Sequence, residues 1–129
     1  MIELKDMKIY IVDMDSYTCR KVEEQFCGIS NVQVVHSDIK RFYIENKDKI
    51  DCLVSPANAF GMMTGGYDAA LSEILGWDFQ YKVQDYIKEN FYGEQGVGTS
   101  FIIKTDIPNL SLIHTPTMQY PSKILDDMI

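Results

Sequence analysis

Apolar residues in this chain gather in short runs that alternate with helical faces. Lys8 to Asp13 (Lys-Ile-Tyr-Ile-Val-Asp) is a β-rich run that predicts a buried strand. Ser16 then stands as a helix cap, and Cys19, Val22, Phe26 and Cys27 recur on one helical face until Gly28. Val32 to His36 predicts a second strand. Ile39, Phe42 and Tyr43 mark a short helix with Asp38 at its start. Ile50 to Ser55 predicts a third strand, followed by a loop of glycines and small residues from Pro56 to Tyr67. A helix opens near Asp68 and stops at Gly76. The next carries Phe79, Val83, Tyr86, Ile87 and Phe91 on one face, with Asp78 before it and Gly93 after it. Val97 to Lys104 and Ser111 to His114 predict two further strands. Strands alternating with helices predict parallel pairing and a layered α/β sheet. No repeat or linker interrupts the pattern, so one domain over 1–129 is expected.

Composition narrows the classes. The chain has 129 residues, of which 46% are hydrophobic and 24% charged, the profile of an ordered, soluble domain. Its longest apolar run, Ile9 to Val12, is far short of the roughly 20 residues of a membrane span. No basic region followed by an apolar stretch opens the chain, so no signal peptide is read there. The net charge of −7 disfavours nucleic acid and anionic lipid as partners, while leaving room for a local anion site. Three cysteines cannot form a full disulfide framework. Cys19 and Cys27, eight positions apart on one helix, would lie roughly 12 Å apart, too far to bridge. Cys52 reads as a small buried hydrophobe. Reduced thiols point to a cytoplasm-like compartment. No ligand spacing for a metal is present, and no cofactor is implied.

Chemistry is expected where loops leave the carboxyl ends of parallel strands. Three such ends carry unusual residues: Asp13-Met-Asp15, Ser37-Asp38-Ile39 and the loop from Ser55 to Asp68. The last holds Asn58, Phe60, and the run Gly65-Gly66-Tyr67-Asp68 that enters a helix. Paired glycines permit close backbone approach, and the free N–H groups of a helix start suit phosphate. Asn58 offers a carbonyl and an amide to sugar hydroxyls, and Asp68 a carboxylate to take a proton from water or a ribose hydroxyl. Phe60 offers a face to a sugar or base, or an anchor for the loop. Equally, Asn58 makes a turn, the glycines shape a loop, and Asp38 and Asp68 are helix-start carboxylates. The residues by themselves leave both readings open. Trp77 is expected to pack, and Met62 and Met63 to close over the loop or lie beneath it. Tyr120 and the tail from Pro121 to Ile129 carry no readable chemistry.

The stretch Asp51-Cys-Leu-Val-Ser-Pro-Ala-Asn58, followed by Gly65-Gly66-Tyr67-Asp68-Ala-Ala-Leu, resembles the macro-domain pattern. Gly93 to Thr99 and Ile113-His-Thr-Pro-Thr-Met118 agree more loosely, so the resemblance covers roughly 30–121. It is strongest for a branch with Ser-Pro-Ala-Asn at the turn. The resemblance implies a three-layer α/β/α sandwich with a mainly parallel mixed sheet. It implies binding of ADP-ribose, free or on an ADP-ribosylated macromolecule, and in some members hydrolysis of ADP-ribosyl bonds or deacetylation of O-acetyl-ADP-ribose. By position, Asp38 resembles the acid that reads the adenine amino group, beside the Ile39 backbone. Asn58 resembles the residue on the distal ribose, counted with Asp68 as catalytic. Gly65, Gly66 and Tyr67 resemble the first loop around the diphosphate, and Asp68 the catalytic carboxylate of the hydrolase branch. Tyr67 is bulkier than the usual Val or Ile. Macro domains continue past the Pro-Thr-Met strand into a further strand, a second phosphate loop and a closing helix, whereas this sequence ends at Ile129. The expectation is a domain without those parts, with an open sheet edge that invites a homo-oligomer.

Two other phosphate chemistries share the opening motif. Asp13 and Asp15 after the first strand resemble the acidic pair of a receiver domain, but the phosphoacceptor place holds Ser55. A dehalogenase-like phosphatase would need Thr at position 17, where Tyr stands. A noncatalytic interaction module that oligomerises is the remaining alternative.

Overall fold

The computed structural model describes residues 3–121, and these form an α/β protein. The chain divides into two compact units, Met1–Glu45 and Asn46–Ile129. The reading of the tail from Pro121 to Ile129 falls, after Pro121, on residues outside the described range.

In the first unit, β1 (Ile9–Asp13) pairs in parallel with β2 (Val32–His36). The crossover between them is α1 (Ser16–Gln25). Its cap is Asp15, whose carboxylate accepts from the Thr18 N–H at 3.0 Å, and Ser16 is the first helical residue. The shorter Ser16 side chain is displaced from the capping role because Asp15 already supplies the acceptor. Cys19 and Val22 are buried, but Phe26 and Cys27 fall past the last helical turn and are exposed. The helix α2 (Ile39–Asn46) buries Ile39, Phe42 and Tyr43, with the Phe42 ring 5.2 Å from Tyr10. A 3-10 turn at Lys47–Lys49 follows it.

The second unit holds a three-stranded sheet in the order β3-β5-β4. Here β3 (Cys52–Asn58) pairs in parallel with β5 (Ser111–Met118), and β4 (Phe101–Lys104) runs antiparallel to β5. The two β5 neighbours differ in direction because their connections differ. β3 reaches β5 through α3 (Gly66–Leu75), α4 (Phe79–Phe91) and β4, whereas β4 turns directly into β5. Thr105 closes that turn: its backbone N–H and its hydroxyl both donate to the Leu110 carbonyl.

Three strand limits differ from the sequence reading by three residues or more. β3 runs on to Asn58, since Pro56 sits in a strand paired on one side only, where its missing N–H is tolerated. β5 reaches Met118 for the same reason, its last residues lying beyond the end of β4. β4 begins only at Phe101, because residues 96–99 make a turn in which Thr99 donates to the Gly96 carbonyl. Alternate residues Leu53, Ser55 and Ala57 of β3, and Leu112, His114 and Pro116 of β5, are buried. This inward face carries Leu71 and Leu75 of α3, and Phe79, Val83 and Ile87 of α4, in the core. Trp77, at the α3–α4 junction, is half exposed rather than packed. Asp78 precedes α4 without a side-chain cap bond. Cys52 is half-buried, and all three cysteines are free thiols.

Candidate functional site

Asn58, Phe60, Gly65, Gly66, Tyr67 and Asp68 all lie in the second unit, around the carboxyl end of β3. The loop between β3 and α3 is tied down from several sides. Asn58 is buried, and its Oδ1 accepts from the N–H of Phe60 and of Met62, each at 3.1 Å. Its Nδ2 donates to the Met62 carbonyl at 2.7 Å. Both lone pairs of the carboxamide oxygen and one of its two amide hydrogens are thereby engaged. From α3, Ser72 donates to the Met63 carbonyl at 2.7 Å. From α4, Gln80 accepts the Met63 N–H, and Gln84 donates to the Gly61 carbonyl. Gly61 has φ +70, and an added Cβ would lie 3.1 Å from Val83 and Ile87, so the loop backbone rests directly on α4. Met63 is wholly buried beneath the loop while Met62 is exposed. Phe60 is half-buried and stacks on Tyr120, ring centroids 5.3 Å apart. Phe60 therefore serves as a loop anchor, and one ring face is occupied by the protein itself.

Beyond Met63 the loop opens. Gly65 is the residue before α3, with no side-chain cap bond, and Gly66 takes φ +55. Both are exposed, and an added Cβ on either would meet nothing within 4 Å. The first N–H groups of α3 thus have no side-chain acceptor from the cap residue. Tyr67 is half-buried.

Asp68 turns inward. On α3, Asp68, Leu71, Ser72 and Leu75 are the buried residues, spaced as one helical stripe, so the acid occupies the first position of an apolar face. Its carboxylate accepts a short hydrogen bond from the Ser55 hydroxyl, which is wholly buried on β3. Burial pushes the Asp68 carboxyl up to about 6, against which the Ser55 hydrogen bond acts. A carboxylate poised near neutrality is suited to act as a general base.

A second buried polar pair adjoins this one across the sheet. His114 is the β5 partner of Ser55 in register. Its Nδ1 lies 2.7 Å from Gln95 Oε1, and Gln95 Nε2 donates to the His114 carbonyl. Since the Gln95 amide nitrogen is committed to that carbonyl, its oxygen faces the ring, and His114 Nδ1 carries the proton. Burial pulls His114 down to about 4, so the ring is neutral at physiological pH. Gln95 in turn donates its backbone N–H to the Ala59 carbonyl at 2.8 Å.

In the first unit, Asp38 caps α2, its Oδ1 accepting from the Arg41 N–H at 2.8 Å, and Ile39 is buried. Asp13 accepts from the Asp15 N–H at 2.8 Å, so the acidic pair is engaged in its own turn. Among the described residues, no group of three or more His, Cys, Asp or Glu is arranged to hold a metal ion. No helix among them is long and apolar enough to cross a membrane.

The pairing of Asp68 with Ser55 is not legible in any one stretch of the sequence. In the sequence Ser55 stands out as the start of the Ser-Pro-Ala-Asn turn and as a phosphoacceptor place, not as a partner of Asp68, and Ser72, Gln95 and His114 show no role at the loop. The available signal was a polar residue at an inward position of an apolar strand, twice: Ser55 between Leu53 and Ala57, and His114 between Leu112 and Pro116. No protein-family model matches the chain, and no curated protein matches its sequence.

Proposed function

We propose that the unit Asn46–Ile129 is a macro-like module that binds ADP-ribose or a related nucleotide diphosphate sugar, free or attached to a macromolecule. The observation that carries the reading is the exposed Gly65-Gly66 start of α3, at the carboxyl end of a parallel strand, with Asp68 one turn inside. Backbone N–H groups there suit a diphosphate, and the absence of side chains leaves room for it. Asn58 keeps one amide hydrogen for a ribose hydroxyl and spends its other groups holding the loop. Asp68 is the base that would activate water for ADP-ribosyl hydrolysis. Free thiols at Cys19, Cys27 and Cys52 support a reducing, cytoplasm-like compartment.

Titration calorimetry with ADP-ribose tests the binding reading. Heat with a Kd below the millimolar range is expected, abolished by Gly66→Val. No heat at millimolar ligand overturns it. Release of ADP-ribose from a modified protein, lost in Asp68→Ala, tests hydrolysis; unchanged turnover removes Asp68 from the reaction.

A second reading, association with another copy of the chain, is favoured by one feature. Val54, Ile113 and Ile102 form a row across the three strands on the face opposite Ser55 and His114, with Val54 48% and Ile102 62% exposed. Solution mass by light scattering decides it: a monomer at high concentration rules it out.

A further inference from the structure

Asp68 is the third residue of α3, after Gly66 and Tyr67. An acid at that place ordinarily turns back to the N–H groups of its own helix start, which are unpaired and electropositive. The space in front of them is open here, since an added Cβ on Gly65 or Gly66 would meet nothing within 4 Å. The Asp68 carboxyl goes the other way. Its Oδ1 accepts from the hydroxyl of Ser55, wholly buried on β3, and this is the carboxyl's one hydrogen bond among the described residues. Oδ2 has no such partner, yet it is not sealed in the core: among the described residues, the one buried side-chain polar atom left unpaired is His114 Nε2. With the residue 8% exposed, Oδ2 is the oxygen that reaches the surface.

We propose that Ser55 is the positioning residue of Asp68: its hydroxyl draws Oδ1 onto β3 and away from the start of α3, so that Oδ2 stands as the oxygen of the base that faces out. Ser55 suits the task because it is itself fixed. It sits within a paired strand, between Leu53 and Ala57, both buried and both in register with β5. A hydroxyl donates to an ionised carboxyl and accepts from a protonated one, so the acid is held in one place through its titration. Without that hydroxyl, an ionised carboxyl on the apolar stripe of α3 is left with no donor, which is costly. Rotation of one side chain then carries it outward to the free N–H groups before α3. The inference rests on the proposed use of Asp68 as a base for its meaning in the reaction, but the placement of the carboxyl is tested without any nucleotide.

The titration of Asp68 reports its place. Held inward, the acid takes its proton at about 6, because burial outweighs the Ser55 hydrogen bond; turned outward, it returns toward the ordinary 3.8. No charged neighbour contributes to the inward value. The charged residues of α3 and of α4, which packs against it, are Glu73, Asp78, Lys82, Asp85, Lys88 and Glu89, and all are exposed. On the inward face of the sheet, His114 is neutral at these pH values.

The test is NMR titration of the full chain, without ligand, following the Asp68 carboxyl carbon, its side-chain couplings and the Gly65 amide. The wild type is expected to titrate at about 6 with one Asp68 rotamer throughout. In Ser55→Ala the midpoint falls to about 4, and the Gly65 amide proton moves with it. Ser55→Thr, which keeps the hydroxyl, restores the wild-type midpoint. A Ser55→Ala midpoint that stays at about 6 or rises overturns the proposal, because the acid then keeps its place without the hydroxyl. Should Ser55→Ala fail to fold, the wild type decides, since an Asp68 side chain averaged over rotamers overturns it equally. Turnover is read apart from this. Release of ADP-ribose from a modified protein should slow by about tenfold or more in Ser55→Ala and recover in Ser55→Thr; an unchanged rate overturns the positioning role. A wild type that releases none removes the hydrolase reading and leaves the titration to decide the placement.

Discussion

Replacing Asp68 by Asn should stabilise the protein, by an amount that depends on pH. The fold holds this acid at about 6, against 3.8 for an unburied aspartate. A raised value means that the folded state favours the protonated form. The contribution to stability is therefore complete below pH 3.8 and is lost as pH rises through 6. At about 1.36 kcal/mol per pH unit, ionised Asp68 costs about 3 kcal/mol at pH 7.5, about 1.6 at pH 5 and about 0.6 at pH 4. Asn stays neutral and retains a hydrogen bond with Ser55. The variant should thus exceed the wild type by about 2–3 kcal/mol at pH 7.5, and by almost nothing at pH 4. His114 runs the other way. Its folded value of about 4 lies below 6.5, so its contribution is complete above 6.5 and is lost as pH falls through 4. The contributions of the two groups nearly cancel in the wild type between pH 7.5 and 4. Asp68→Asn exposes the His114 dependence, a loss of about 3 kcal/mol over that range. Urea unfolding at pH 7.5, 5 and 4 measures this, followed by fluorescence of Trp77, which lies in the same unit as both groups. A variant less stable than the wild type at pH 7.5, or one whose advantage is undiminished at pH 4, refutes the reasoning.

Gly61→Ala combines a positive φ with a Cβ 3.1 Å from Val83 and Ile87, so urea unfolding should register a loss of about 2–4 kcal/mol. Asn58→Ala removes three hydrogen bonds to residues 60–62. A loss of about 2–4 kcal/mol is expected, together with faster proteolytic cutting of the loop; unchanged cutting would remove Asn58 as its organiser. A thiol reagent at pH 7.5 should modify exposed Cys27 first and buried Cys19 last, since burial raises the Cys19 thiol. Equal rates at all three cysteines would contradict the packing of α1.

Much of the fold was legible in local pattern. β1 was read to within a residue and β2 in full, because their apolar runs are bounded by polar residues and followed by capped helices. The end of β3 was not, because Pro56 reads as a breaker until its pairing with β5 is known. The antiparallel β4 depends on a turn closed by Thr105, whose role comes from Leu110 beyond it. At the site, Asn58, Gly65, Gly66 and Asp68 stood out as residue types. What each does was hidden, because Ser55 meets Asp68 across 13 positions and Gln95 meets His114 across 19. Such pairs follow from sheet register and helix stripe together, which no single window contains.

The pinned loop after β3 carries one more consequence. Its carbonyls and amides from Ala59 to Met63 are held by Asn58, Ser72, Gln80, Gln84 and Gln95 before any ligand arrives. Little ordering entropy then remains to be lost on association. Amide hydrogen exchange in this stretch should rank with the surrounding strands, and a ligand should meet a rigid rim rather than mould one.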